Sequence, residues 1–302
     1  MSFFVNRLTI IGVGLIGGSL AQSLREQGLV GEVVGVNRSA ASREMALEMG
    51  VVDRATDSIT DGVQGATMVL VATPVRSIAQ VVAQMAPSLS RGAVVTDVGS
   101  VKGSIVAACE PLMPEGCWFV GGHPIAGRER VGVSASFPSL FQGSRTILTP
   151  TDETHQPALE LVRLVWEAAG SRVETMGAEY HDQVLAATSH LPHLMAYNVV
   201  NTLSDQEEHI RAEVFRYAAG GFRDFTRIAS SDPTMWRDIC LENSEAILLI
   251  LERFRDNLDA LARQVKARDG EALFDSFDRS KTTRDRVLSE NKILHTSPLG
   301  ED

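Results

Sequence analysis

Through the first half of the chain, short runs of consecutive apolar residues alternate with longer stretches in which apolar positions return every three or four residues. The continuous runs, rich in Val and Ile, are Leu8–Gly12, Glu32–Val36, Met68–Thr73, Ala93–Val98 and Trp118–Gly121. Such runs predict strands covered on both faces, as in a parallel sheet. The periodic stretches Ile16–Gln27, Ala40–Met49, Val75–Met85 and Lys102–Cys109 predict helices between them. Alternation of this kind makes βαβ units and a doubly wound sheet. Arg145–Leu148 reads as a further strand, Gln156–Ala169 as a helix and Ser171–Met176 as a last strand.

Beyond residue 176 the β-rich runs stop and the periodicity becomes helical. The pattern therefore predicts an α/β domain over 1–176 and an all-helical domain over 177–302. Ile247, Leu251, Phe254, Leu258, Leu261 and Val265 are spaced 4, 3, 4, 3, 4, a heptad-like seam. Either the interior of the helical domain or a second subunit would cover such a seam. Asp269-Gly270 breaks this helix, a short helical segment is expected from Glu271, and the tail after Lys292 is expected to be loose.

Composition narrows the function classes. The 302 residues carry a net charge of −10, with no basic run of five or more. This argues against a nucleic-acid partner, whose phosphates need basic patches. Cys109, Cys117 and Cys240 are scattered without a CxxC pair, which suggests neither a zinc cluster nor a disulfide framework and fits a reducing cytoplasm. The first strand begins within a few residues of the start, so no signal peptide is expected. The longest aliphatic run, Ala246–Leu251, is far too short to span a bilayer, and no membrane partner is expected.

Against this background the segment Leu8–Ser19, LTIIGVGLIGGS, is distinctive. It joins a G-x-G-x-x-G pattern (Gly12, Gly14, Gly17) to a preceding strand and a following helix, the context that makes this motif informative. Gly12 permits the tight turn, Gly14 lets backbone approach a pyrophosphate, and Gly17 allows close helix–strand packing. The helix N-terminus favours phosphate charge. Leu15 and Ile16 of the turn, and Thr73 and Pro74 at the third strand's end, complete the expected cofactor contacts. Asn37, Arg38 and Ser39 follow the second strand, where an acidic residue would bind the adenosine ribose. An amide, a cation and a hydroxyl there predict NADP, or dual use of NADP and NAD with NADP preferred. The alternative for Arg38 is an ordinary solvated arginine.

Four further segments carry candidate chemistry. Asp97-Val-Gly-Ser-Val-Lys102 ends the fourth run, and ligands in open α/β sheets sit outside the carboxyl ends of strands. Ser100 is thus placed for substrate or nicotinamide, or as the N-cap of a helix starting near Val101. In Gly121-Gly-His-Pro-Ile-Ala-Gly127, Pro124 restricts His123, and an imidazole titrating near neutrality suits proton acceptance. Thr188-Ser-His-Leu-Pro-His193 offers Ser189, His190 and His193 for polar recognition of an anionic substrate. Together with His181 it lacks a convincing metal-ligand set. Finally, Arg223 and Arg227 lie in Gly220–Arg237. A guanidinium can clamp a carboxylate bidentately, or pair with Asp224 or Asp232 instead.

GVGLIGGS at 12–19, DVGSVKG at 97–103, GGHPIAG at 121–127, SHLPH at 189–193 and GGFRDFTRIASSDPTMWRDI at 220–239 together resemble the prephenate/arogenate dehydrogenases of tyrosine biosynthesis, over about residues 6–292. The resemblance implies a Rossmann-like N-terminal domain and a helical C-terminal domain through which subunits form a homodimer. It implies oxidative decarboxylation of a cyclohexadienyl acid, prephenate or arogenate. It also implies roles: His123 as the catalytic residue beside the ring hydroxyl, and Ser100 positioning that hydroxyl and the nicotinamide. His193 and Arg227 would contact substrate, the arginine through a carboxylate, with His190 and Ser189 as second choices. Glu129 matches an acidic position that gates the pocket. Asn37 departs from the acidic residue of NAD-preferring members. Two rivals remain. A β-hydroxyacid dehydrogenase would rely on a catalytic lysine, but the helical half has none before Lys266. A non-catalytic NADP sensor would need neither His123 nor Arg227.

Overall fold

The computed structural model describes residues 3–127, 132–208, 213, 216–217 and 220–296. The chain divides into two compact units, Met1–Ile247 and Leu248–Asp302.

The first unit is built on a sheet of eight strands: β1 Val5–Ile11, β2 Val30–Val36, β3 Arg54–Thr56, β4 Met68–Val71, β5 Val94–Asp97, β6 Trp118–Ile125, β7 Arg145–Thr149 and β8 Arg172–Thr175. Their order is β3-β2-β1-β4-β5-β6-β7-β8, parallel except where β7 runs antiparallel to β6. Order reverses between β1 and β4, and this switch point opens the crevice in which dinucleotide folds bind their ligand. Helices α1 Leu15–Glu26, α2 Ala40–Glu48, α3 Ile59–Val63, α4 Val75–Met85, α5 Gly103–Cys109 and α6 Gln156–Ala168 connect the strands.

Alternate strand residues enter two separate cores. Leu8, Ile10, Met68 and Leu70 face Leu20 and Leu24 of α1 and Val162 and Trp166 of α6. Ile11, Val69, Val71 and Val95 face Ile78 and Val82 of α4 and Ile105 of α5. Both faces are therefore dry, which is why these strands read as unbroken apolar runs. After β8 the unit continues through α7 Ala178–Leu185, a π-helical turn Ala186–His190, α8 Leu191–Ser204, α9 Gly220–Thr226, a 3₁₀ turn Arg227–Ser230 and α10 Pro233–Glu242. Trp236 and Ile239 of α10 join the second core, so this helical part is bound to the sheet layer by apolar packing. Helix α11, Ser244–Ala267, starts in this unit and runs into the second.

The second unit holds most of α11 and all of α12, Gly270–Thr296. Leu258 and Val265 of the expected seam are exposed, as are Leu248, Leu249, Phe274 and Phe277.

Three local expectations are corrected. His123 and Pro124 lie within β6, not in a loop after it, because β7 pairs with them (His123↔Ile147, Pro124↔Thr146). The short segment after Glu271 is a helix of 27 residues that continues past Lys292. Ser100 does not cap α5: the helix begins at Gly103, and its first amides are met by the carboxylate of Asp182.

Candidate active site

The glycine turn leads from β1 into α1 at the switch point. Gly12 has φ +93°, and a Cβ there would stand 2.6 Å from the Ala72 carbonyl oxygen. A Cβ on Gly17 would meet Ile10 Cγ2 at 2.5 Å. By contrast, a Cβ on Gly14 would point into open space. Gly14 is also the N-cap of α1 and supplies no side-chain cap, so Leu15, Ile16 and their neighbours begin the helix with amide hydrogens turned to that space. Across the crevice, Thr73 Oγ1 is buried without a hydrogen-bond partner among the described residues, and Pro74 opens α4. An open cradle, an uncapped helix start and an orphaned hydroxyl fit a dinucleotide pyrophosphate.

At the end of β2, Asn37 is turned inward. Its Oδ1 accepts from Val13 N–H at 2.6 Å and its Nδ2 donates to Val13 O at 3.2 Å, so the amide braces the glycine turn. Ser39 caps α2 by accepting from Ser42 N–H at 3.3 Å. Arg38 is exposed. Sequence reading passed over Arg43, which donates to the carbonyls of Asn37 and Arg38, both at 2.8 Å, and pairs with Asp57 at 3.4 Å. No pattern of spacing marks that contact.

At the carboxyl end of β5, Asp97 accepts from Gly99 N–H, from Gly122 N–H and from the Lys102 ammonium. Lys102 also donates to Gly122 O at 2.8 Å and is fully buried. This ion pair ties the Ser100 loop to the strand residue just before His123. Ser100 itself is half-buried.

His123 is half-buried, and its Nδ1 lies 2.9 Å from His181 Nε2. His181 Nδ1 lies 2.8 Å from Asp182 Oδ1, and both residues are buried on α7. Asp182 in turn accepts from Lys102 N–H and Gly103 N–H, both at 2.8 Å. Burial first, then the charges of His181, Lys102 and His190, holds the His123 imidazole well below its ordinary range. The ring is thus neutral at pH 7, rather than poised near neutrality.

The π-turn gives one extra residue to a helical circuit, a device frequent at functional sites. It turns His190 inward, where Nδ1 accepts from Asn243 Nδ2 at 3.1 Å while the same amide nitrogen donates to Asp182 O at 2.9 Å. One turn on, His193 Nδ1 donates to Ser189 O at 2.9 Å, which leaves Nε2 as its acceptor. His193 stacks on Trp236 at 3.8 Å between ring centroids, and His190 meets the same indole edge-on at 5.9 Å. Burial lowers the His193 pKa, its bond to Ser189 opposes this, and the nearby Arg227 guanidinium lowers it further. Charge interactions connect His123 with His190, His190 with His193 and His193 with Arg227, and the Ser189 carbonyl holds the His193 ring. Arg223 is in α9, one turn from Arg227. Glu129 lies outside the described residues. His181, Asp182 and Asn243 were missed as functional candidates, His181 having been weighed only as a metal ligand. A His-Asp pair on a helix gives no sign of what it meets across the fold.

Comparison with known proteins fixes the lineage. The nucleotide-binding-domain model of prephenate dehydrogenase matches residues 20–175, and the dimerization-domain model of the same enzyme matches residues 177–279. The chain belongs to the prephenate dehydrogenase family. Within that family, the cyclohexadienyl dehydrogenase of Zymomonas mobilis is 38% identical, covering 95% of this chain and 97% of that one. Prephenate dehydrogenase of Bacillus subtilis is 36% identical over 97% of this chain and 79% of its own. The crystal structure of A. aeolicus prephenate dehydrogenase with hydroxyphenyl propionate and NAD+ superposes with a TM-score of 0.88 at 40% identity, covering 95% of this chain and all of that one. Synechocystis arogenate dehydrogenase follows at 0.80 and 30%, covering 93% and 99%. Among the described residues, no helix is long and apolar enough to cross a membrane.

Proposed function

We propose that the protein catalyses the oxidative decarboxylation of prephenate, arogenate or both, giving 4-hydroxyphenylpyruvate or tyrosine. The observation that carries this is membership of the family over residues 20–175 and 177–279, supported by the contact of His123 with His181 and by the packing of His190 and His193 on one indole. A nicotinamide dinucleotide, held by Gly12, Gly14, Leu15, Ile16, Gly17, Thr73 and Pro74, supplies the hydride acceptor when bound.

His123 accepts the ring hydroxyl proton as the carbonyl forms, with Ser100 aligning the hydroxyl. Its neutral ring makes it ready to accept without first losing a proton. Arg227 and His193 hold the substrate carboxylates, assisted by Ser189 and His190, and Glu129 gates entry. Loss of the ring carboxylate as carbon dioxide makes the ring aromatic and the reaction effectively irreversible. The working boundary between cofactor and substrate parts is at 176/177. The active form is a homodimer, joined through the helical part, whose exposed Leu258, Val265, Phe274 and Phe277 form a surface suited to a second copy. The substrate is a small molecule, with no nucleic-acid or membrane partner, and the protein works in the cytoplasm.

NADP is preferred over NAD, because no carboxylate ends β2 and Arg38 stands exposed there beside the start of α2. Asn37 contributes by bracing the turn, and Ser39 through its hydroxyl hydrogen. Mixing the protein with prephenate or arogenate and either cofactor should raise the absorbance of the reduced nicotinamide. No signal in any of the four mixtures would overturn the assignment. Arg38→Ala should raise KM for NADP and leave that for NAD little changed. A strong NAD preference untouched by the substitution would refute the NADP reading.

A further inference from the structure

We propose that His181 is the positioning partner of His123: it fixes the tautomer of His123 and takes over its surplus proton, with Asp182 as the counter-charge. The inference rests on the reading of His123 as proton acceptor and adds residues that reading does not use. The geometry is a linear chain. Asp182 Oδ1 lies 2.8 Å from His181 Nδ1, and His181 Nε2 lies 2.9 Å from His123 Nδ1.

A carboxylate only accepts, so the hydrogen between Asp182 and His181 sits on Nδ1 of His181. A neutral His181 then presents a bare Nε2. The hydrogen between the two rings must come from Nδ1 of His123. That leaves Nε2 of His123 with its lone pair, the form a proton acceptor needs. The opposite tautomer would place a hydrogen where the substrate proton has to go.

The same chain handles the charge created by the reaction. The substrate O–H bond breaks and its proton bonds to His123 Nε2. The Nδ1–H bond of His123 breaks and that proton bonds to His181 Nε2. The positive charge thus ends on His181, against the Asp182 carboxylate, and His123 is left neutral with its hydrogen on Nε2. The electron pair of the broken O–H bond forms the carbonyl as hydride leaves the carbon that bears the oxygen. Among the described residues, the other influences on His123 disfavour a charge there: burial first, then Lys102 on the α5 side and His190 from the π-turn. Asp97 is already engaged by Lys102 and two amides. His181 faces His123, Asp182 and His190, and Asp182 is the anion among them.

Asp182 is held for this task from three sides. Its two oxygens accept from the amides of Lys102 and Gly103, and its carbonyl accepts from Asn243. Because it also caps the start of α5, its replacement would disturb more than proton transfer. His181 is the cleaner target. Long-range proton–nitrogen spectra of histidine-labelled, cofactor-free protein at pH 7.5 should show His123 protonated on Nδ1 and bare on Nε2, with the signals assigned by their loss in His123→Asn. In His181→Phe and His181→Gln that preference should relax, and kcat should fall roughly 10²-fold with KM nearly unchanged. The wild-type spectrum decides even if neither variant folds: hydrogen on Nε2 of His123 overturns the proposal, as does an unchanged kcat in either folded variant. The underlying reading fails separately, if His123→Asn keeps near-normal turnover.

Discussion

Acidification from pH 7 to pH 5 should weaken the fold through His190. This ring is 1% exposed. Burial is the largest influence on it and lowers its pKa; the Asp182 carboxylate opposes that, and His181 and His193 add to it, leaving a value of about 4 against an ordinary 6.5. Below pH 6.5 the unfolded chain takes up a proton that the folded ring refuses. Stability is therefore whole above pH 6.5 and declines with falling pH until about 4, where the folded ring also protonates. Linkage gives a loss of about 2 kcal/mol by pH 5 and on the order of 3 kcal/mol in total. Urea unfolding at both pH values, at one protein concentration, reads this directly when wild type is compared with His190→Gln. His123 and His193 are present in both proteins, so their contributions largely cancel in the difference. Wild type should lose about 2 kcal/mol more than the variant between pH 7 and 5. Equal losses, or a His190 resonance that titrates near 6.5 in the folded protein, would refute the reasoning.

Three other outcomes follow from named contacts. Gly14→Ala should leave thermal stability unchanged and weaken dinucleotide binding at least tenfold in a fluorescence titration, whereas Gly12→Ala should lower stability by about 1–3 kcal/mol, since it combines a positive φ with a backbone clash; a Gly14→Ala protein that binds normally would remove the pyrophosphate from this turn. Lys102→Met strips the counter-charge from the buried Asp97 and should cost about 3–5 kcal/mol in denaturant unfolding; a neutral result would refute the buried ion pair as a source of stability. Arg227→Ala should raise KM for the substrate by tenfold or more with a smaller effect on kcat, because a carboxylate clamp acts on ground and transition states alike; steady-state kinetics showing a lost kcat at unchanged KM would move Arg227 into the chemical step.

Where structure depends on near neighbours, it was legible in the chain. Val75–Met85 was bounded correctly because Pro74 opens the helix and one apolar stripe runs its length. The strand–turn–helix setting of the glycine turn was legible because β1 and α1 flank it directly in the chain. The placement of His123 inside β6 was not legible, since the pairing that extends the strand comes from β7, where His123 meets Ile147. Helix α12 was underestimated because it is polar on nearly every side, so no stripe announces its length. The roles of His181, Asp182 and Asn243 depend on partners 53 to 80 residues away. Sequence spacing carries no trace of such meetings. Asn37 was noticed for what it lacks, a carboxylate; its grip on Val13 became visible only when the turn was seen folded back on it.

The carboxylate of Asp182 finishes a helix that begins at Gly103. A gene piece ending at residue 176 would thus encode a nucleotide-binding half with two bare amides at the mouth of its own site. The halves look interchangeable when matched separately to family patterns, yet neither is sealed without the other. Any graft that joins this first half to a foreign helical half must bring an acceptor to that spot, or leave the amides of Lys102 and Gly103 without one.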